Sequence, residues 1–459
     1  CPSRVGPVTP GRRNQASNRS MHSAAIDRAV ERFLSRWVFY GWAVVLVTFT
    51  TSMITAGISG YGMGFFVVPM GEELGISRTE FSGIALFRLA LLPVVPFLGM
   101  LVDRKHGPRV MIVVGSIVAG IALMFTSCVN TLWEFYIIQG VFFGLATHAM
   151  GGMLIGPSVI SKWFIRMRGR AMAVGTMGIS TGGVVIAPLS GWVVSQYGWR
   201  TAWVVLGFVL MLALAPLAAL LMRRSPEDAG MLPDGDSQPA DGISADSNPA
   251  GVEVSLTLKE AMRTRSLWVL MIVQALTHLS LMPVMFHQVA YIQDKGFEIG
   301  AATTIATMMA FFAVVSKLPW GILCERVHVR WVTAVCLTST GLALMLLVVA
   351  QSMWMLVAYA VLFGLMMGGF TPTLNVAWAT YFGRKHMGAI RGFVTPAGNI
   401  VGAFGPIFAG WTWSEQSSYD FSITFFALAW ITGGLLMLIA NVPSRQAELA
   451  VAESAAKAT

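Results

Sequence analysis

Two cations stand where cations are costly. Arg88 and Lys317 each lie inside a long apolar run, and an ionised group at membrane depth is disfavoured by several kcal/mol unless a function retains it. Counted along a helix at about 1.5 Å per residue, Lys317 is roughly 12 Å inward from Glu325 and Arg88 roughly 22 Å inward from Asp103. No Asp or Glu falls well inside any apolar run, and Glu134 sits only at an outer edge. A buried cation without a counter-ion must be neutralised for part of its working cycle, and an anionic solute meets that need. The alternatives are structural. Lys317 can snorkel to the cytoplasmic headgroups along its stem, and Arg88 can bond backbone carbonyls near the outer face.

Other polar side chains accompany them. His148 and His278 fall near the middle of the fourth and seventh runs, with His287 nearer the outside. Imidazole titrates near neutral pH, so each is a candidate for proton or substrate contact, set against a plain interhelical hydrogen bond. Gln274, Thr277, Thr371, Asn375 and Asn399 are further candidates as a group. Cys1, Cys128, Cys324 and Cys336 have neither metal-ligand nor redox spacing. There is no His-Glu-x-x-His, no serine nucleophile turn and no nucleotide-binding motif, so neither an enzyme, a primary pump, a metal site nor a cofactor is expected.

The elements that hold these residues are membrane helices. Of the 459 residues 55% are hydrophobic and 12% charged, about half the charge of a soluble domain, and the mean hydropathy is +0.68. The chain divides into about twelve apolar stretches of roughly 20 residues: Tyr40 to Val68, Glu80 to Val102, Val110 to Val129, Leu132 to Ile160, Arg170 to Ser195, Thr201 to Met222, Leu267 to Ile292, Ala301 to Leu323, Trp331 to Ala350, Met353 to Tyr381, Ile390 to Trp413 and Phe421 to Val442. The expected class is an all-α polytopic membrane protein of twelve transmembrane helices in two pseudo-symmetric six-helix halves. Residues 39–222 and 266–442 form the halves, the hydrophilic stretch 223–265 is a flexible cytoplasmic linker with a short surface helix near Leu256 to Met262, and 1–38 and 443–459 are cytoplasmic ends. Met21 is a candidate start, since residues 1–20 carry no initiating Met.

Cations fix the orientation. With both termini inside, the 31 Lys and Arg lie on the cytoplasmic side apart from Arg78, Arg200 and Lys295 outside and Arg88 and Lys317 within spans. The net charge of +9 then reflects membrane topology, with lipid as the surrounding partner, and no nucleic-acid surface is expected.

The halves repeat. Gly99 to Arg109 (GMLVDRKHGPR) returns as Gly321 to Arg330 (GILCERVHVR), and Phe143-Gly144-Leu145 returns as Phe363-Gly364-Leu365. The first pair resembles the loop signature of the major facilitator superfamily in its two half-repeats. The opening FYGWAVV (Phe39 to Val45), the turn YGWR (Tyr197 to Arg200) and the loop YFGRKHMGAIRG (Tyr381 to Gly392) resemble its monocarboxylate porter and oxalate/formate antiporter branch. The resemblance implies a gate in which Asp103 caps a neighbouring helix and pairs with Arg104 or Arg109, with Glu325 and Arg326 as the weaker second copy. It implies hinge-like spans rich in glycine at the fifth and eleventh positions, and a substrate carboxylate held by Lys317, four residues before Gly321. Where the branch has a first-span Lys, this chain has Gly60 and Tyr61, and where it has an eleventh-span Lys, Asn399 is the nearest polar residue. Ala313 replaces the Asp of proton-coupled relatives. The expected function is a secondary active transporter moving a small organic anion, a carboxylate, by alternating access, as antiport or proton-linked symport. Lys317, Arg88, Tyr61, His148, His278, Asn375 and Asn399 are the expected substrate contacts. The alternative is a polyspecific drug or metabolite exporter. A monomer in a cell membrane, a bacterial inner membrane, completes the expectation.

Overall fold

Apolar runs of this length leave the backbone one open solution in lipid, a helix that satisfies its N–H and C=O groups internally. The computed structural model describes residues 39–76, 80–81, 83–151, 154–235, 255–416, 418–441 and 443. The expected N-terminal segment 1–38, the middle of the linker (236–254), the tail beyond 443 and Arg78 lie outside the described residues. Within them the chain is helical, without strands.

The passes are α1 (Gly41–Ala56, Gly57–Gly62 and Gly64–Leu74), α2 (Ile84–Ala90, Leu92–Val94 and Val95–Val102), α3 (Gly107–Thr126) and α4 (Leu132–Phe135, Tyr136–Phe142, Phe143–Met150 and Ile155–Trp163). One helical run, Arg168–Leu221, follows, and the left-handed Gly198 (φ 78°) divides it into α5 (168–197) and α6 (199–221). The second half comprises α7 (Arg265–Asp294), α8 (Ile299–Arg326), α9 (Val329–Val349), α10 (Met353–Met367 and Phe370–Phe382), α11 (Met387–Gln416) and α12 (Asp420–Ile439). Length and hydropathy alone mark 10 candidate spans. The fold at Gly198 makes two passes of one of them, and the shorter apolar helix Leu86–Val102 supplies the remaining pass of the expected set.

Three first-half passes are less regular than their apolar runs suggest. Pro93 and Pro96 lack an N–H for the helical ladder, and α2 is interrupted at Leu92–Val94, around the first of them. Both α1, through Gly57–Gly62, and α4, through Tyr136–Phe142, are wound locally as wider π-helix.

Glycines decide which helices pack closely. A side chain at Gly178 would strike Phe49 and one at Gly182 would strike Met53, so α5 lies hard against α1; Gly402 and Gly405 bring α11 equally close to α7 at His278 and Leu279. The α3–α6 pair meets at Gly120 and Gly207, and α9–α12 at Gly341. Each half thus repeats the other pair by pair. The halves join through α2–α11 and α5–α8. There Gly99 faces Gly388 and Gly392, and Gly169 faces Gly321. Extensive contact between halves involves the inner segments Val95–Val102, Ile155–Trp163 and Phe370–Phe382, while Ile84–Ala90, Phe143–Met150 and Met353–Met367 pack within their own halves. The molecule is closed at the end that carries the Asp103 and Glu325 loops and parted at the other.

The linker is fastened where the sequence suggested a plain spacer. Asp234 accepts hydrogen bonds from the backbone N–H groups of Ile165 (3.0 Å) and Arg166 (2.8 Å), in the α4–α5 loop. Glu227 pairs with Arg384 of the α10–α11 loop at 2.8 Å. Beyond the undescribed middle, Ser255 accepts from the N–H groups of Arg384 and Lys385, and the expected surface helix forms at Leu258–Met262 with a Thr257/Glu260 capping box.

The outer rim of the first half is tied by Glu73, beyond the apolar span Gly41–Gly62. Its carboxylate accepts from Trp199 Nε1 (2.6 Å) and Arg200 Nε (3.0 Å), and these bonds, with the Arg200 charge, hold it below the ordinary carboxylate range. A depressed carboxyl stabilises the folded state above its unfolded value, about pH 4.3, and that contribution is lost as the pH falls through the folded value. Glu73→Gln should therefore lower the melting temperature of the purified protein at pH 7, with the difference from the parent shrinking as the pH is taken below about 4.3.

Candidate functional site

The inner seam is built from two matching devices. The α2 carboxylate of Asp103 accepts from the N–H groups of Gly388 (3.2 Å) and Ala389 (2.9 Å) at the start of α11. Glu325, at the end of α8, accepts from the N–H of Arg170 (2.8 Å) at the start of α5 and from its Nε (2.8 Å). Each half thus caps a helix of the other, setting a negative charge on the positive end of a helix dipole. Lys162 of α4, on a different pass from the expected Arg104 and Arg109, pairs with Asp103 at 2.6 Å, with side chains 5% and 14% exposed. Arg104 is exposed. Arg224, leaving α6, donates to the Asp103 carbonyl at 3.0 Å. Arg326, the expected second-copy partner, points into the exposed layer, and Glu325 pairs with Arg170 instead.

Lys317 lies eight residues inward from Glu325 on α8, with the seam glycine Gly321 midway, so all three share one helix face. It does not snorkel. The residue is 6% exposed, and its ammonium donates to Ser180 Oγ of α5, in the opposite half, at 2.8 Å. That neutral hydroxyl is its one polar side-chain partner among the described residues. Three residues further along α5, Gly183 lies under the Tyr61 ring, which is 49% exposed. Tyr61, Ser180 and Lys317 therefore converge from α1, α5 and α8, above the closed seam.

The remaining expected contacts form two other groups. Arg88 packs between α2 and α4, its guanidinium carbon 5.6 Å above the Phe143 ring. Neither Nε nor Nη2 finds a hydrogen-bond partner, so these donors do not make the backbone bonds weighed for them. His148 Nε2 lies 3.4 Å from the Arg88 carbonyl oxygen. In the second half, His278 Nδ1 donates to the Gln274 carbonyl of its own helix (2.8 Å). Gln274 Oε1 accepts from Trp378 (3.0 Å), and Asn399 follows Gly398, which rests on Gln274. Asn375 is buried with its Nδ2 unpartnered.

Four polar side chains were not singled out by the sequence: Lys162, Ser180, Gln139 and Arg391. Arg391, at the edge of its apolar run, is 2% exposed inside α11. The position of Lys162 after Ile160, at the end of α4, was the available signal, but it reads equally well as a loop cation. Nothing in the type or spacing of Ser180 marks it.

The seam makes a measurable claim. Asp103→Asn keeps an acceptor oxygen for only one of the two amides, which bond separate oxygens of the carboxylate, and leaves the Lys162 ammonium buried without its counter-charge, a loss of about 3 kcal/mol and so about a hundredfold shift toward the state in which this seam is open. A cysteine placed at Ala173, beside Gly321, should then react with a membrane-impermeant thiol reagent applied from the cytoplasmic side of inverted vesicles, and remain protected in the parent background.

Comparison with known proteins identifies the architecture. The chain matches the Major Facilitator Superfamily over residues 44–313 and 280–458. It is 24% identical over 406 residues to rat monocarboxylate transporter 13, covering 87% of this chain and 88% of that protein. It is 22% identical over 426 residues to rat monocarboxylate transporter 2, covering 88% and 83%. Among solved structures it is similar to the human organic anion transporter MFSD10 (TM-score 0.63, 15% identity, 86% of this chain and 99% of that one). The Escherichia coli fucose:proton symporter FucP is also similar (TM-score 0.65, 11% identity, 87% and 98%). Both sequence relatives are mammalian, whereas the sequence reading pointed to a bacterial membrane. The chain belongs to the Major Facilitator Superfamily: it is an all-α, multi-pass membrane transporter resembling the monocarboxylate porter branch, and not an enzyme.

Proposed function

We propose that this transporter moves a small organic anion, a monocarboxylate or short dicarboxylate, and that Lys317 holds its carboxylate. The observation that carries the reading is the ammonium of Lys317, buried on the face of α8 that meets the other half and answered, among the described residues, only by the neutral Ser180 hydroxyl. A carboxylate arriving from the parted outer side would replace a neutral acceptor by a charged one, and charge-assisted bonds are shorter and about twice as strong as neutral ones. Tyr61 supplies an aromatic wall, and the buried amide of Asn375 is available to a polar group of the substrate. The names of the relatives, monocarboxylate transporters and an organic anion transporter, agree with this class.

Exchange is the mode favoured by the charges. An empty carrier would have to reorient with an uncompensated ammonium, whereas a loaded one moves as a neutral pair. Proton-linked symport would run through His148 or His278, each of which already bonds a backbone carbonyl, and no carboxylate stands beside Lys317 among the described residues. The protein sits in a cell membrane with both termini on the cytoplasmic side, as the cation distribution favours.

In proteoliposomes loaded with unlabelled substrate, a labelled carboxylate from a panel of mono- and dicarboxylates should exchange. Lys317→Gln should reduce that exchange about 10- to 100-fold, the range for losing a hydrogen bond to a charged group. Exchange that survives Lys317→Gln, or a panel in which nothing moves while apolar cations are extruded, would replace this reading with the exporter. A dependence on an imposed pH gradient that disappears in His278→Asn or His148→Asn would make the mode symport.

A further inference from the structure

We propose that the first half contains a second anion site, separate from Lys317, in which Arg88 and Gln139 hold a small monovalent inorganic or carboxylate anion between α2 and α4. Gln139 is 0% exposed, yet neither its Oε1 nor its Nε2 has a hydrogen-bond partner. Arg88 leaves Nε and Nη2 buried and unpartnered as well. A buried amide without bonds loses its hydration with no return, and a guanidinium loses far more. Two such groups along one helix seam point to an occupant. The seam itself is continuous, since Gly140 lies against Phe87 and Gly144 against Arg88 Cγ and Leu91. Phe143, four residues beyond Gln139, underlies the Arg88 guanidinium.

The backbone is irregular on both sides of this place. Gln139 lies within the π-wound Tyr136–Phe142 of α4, and Arg88 is near the end of Ile84–Ala90, just before the break in α2. Irregular helix at membrane depth accompanies ligand sites, because the widened or broken turn makes room and frees polar groups.

The second half provides an internal control. Aligned on Phe143-Gly144-Leu145 and Phe363-Gly364-Leu365, Gln139 corresponds to Tyr359, whose hydroxyl donates to Gln288 Oε1 at 3.1 Å and lies 4.0 Å from Met309 Sδ. Aligned on the seam glycines Gly99 and Gly321, Arg88 corresponds to Ala310, which has no polar side-chain atom to satisfy. The α8–α10 seam is thus apolar or internally bonded where the α2–α4 seam is cationic and unsatisfied, and α10 is wound regularly over Met353–Met367. The polar groups of the repeat are bonded in one half and left unsatisfied in the other. Donors dominate the open place, so the ligand is an acceptor with negative charge. The narrow approach of two helices at Gly140 and Gly144 limits it to a few heavy atoms, the size of chloride or formate.

The test is thermal melting of the purified transporter titrated with sodium chloride or sodium formate, using sodium gluconate, too large for the seam, as the ionic-strength control. The parent should show a saturable rise in melting temperature with chloride, formate or both, which also identifies the occupant. Arg88→Met should lose that rise. Gln139→Glu should lose it too while staying folded, because the new carboxylate supplies the missing negative charge to Arg88 from within the chain. Lys317→Gln should keep it, whatever becomes of carboxylate exchange, so failure of the transport proposal and failure of this one are distinguishable. A parent that responds to neither anion, a Gln139→Glu variant that responds like the parent, or a response lost in Lys317→Gln would each overturn the second site.

Discussion

The cost of placing charge in lipid governs this molecule. In a chain whose passes are almost free of acidic residues, each inner cation has to be met by something other than a neighbouring carboxylate, and the structure solves the problem differently at each depth. At the closed seam the charges are answered within the protein: Lys162 by Asp103, and Arg170 by Glu325. Deeper, Lys317 reaches only a hydroxyl, and Arg88 lies over an aromatic face with two donors unmatched. The gradient from satisfied to unsatisfied runs from the closed end of the molecule toward its parted end. That is the order expected if the inner charges keep the seam shut and the deeper ones await an anion.

The same face of α8 links the two regions. Lys317, Gly321 and Glu325 follow one another at four-residue spacing and meet, in α5, Ser180, Gly169 and Arg170 respectively. A helix segment this short moves as a rigid piece, so an anion that draws Lys317 away from Ser180 works directly on the glycine contact and the capped helix end below. No relay of intermediate side chains is required. The α2–α11 seam has the matching inner parts, Gly99 with Gly388 and Asp103 with the α11 amides, but carries no counterpart of Lys317 on that face. The two seams share their inner contacts and differ at the depth of Lys317.

The fold was legible in the sequence because hydropathy acts over whole segments. The apolar runs and the repeated Gly-x-x-x-acid-Arg turn are long or duplicated signals, and the structure contains the corresponding passes. Local geometry was less legible. The π-wound stretches of α1 and α4 contain glycines that are equally compatible with regular helix, so the wider turn leaves no mark in residue type. Asp103 was readable as a helix cap, since a carboxylate at a loop beside a helix start has few other uses. Its contact with Lys162 was not, because Lys162 is near only after α4 has folded back beside α2. Ser180 was invisible for the same reason: a hydroxyl in a glycine-rich helix acquires meaning from the residue across the interface.

Gln139 shows how pseudo-symmetry can be used where single-sequence reading ends. By type it is an ordinary polar residue in an apolar helix, and by burial alone it resembles Gln288, which the second half accommodates with the Tyr359 hydroxyl. The difference emerges when the halves are compared as repeats, since both began with the same packing problem. One half resolved it with a tyrosine that bonds a glutamine and with an alanine in the place of the arginine, so that these positions leave no polar donor unmet. The other retained an arginine and an amide without partners, at a point where both neighbouring helices depart from regular winding. Duplicated architecture makes the satisfied half the reference state for the other, and the unmatched donors measure what the first half has been left to bind.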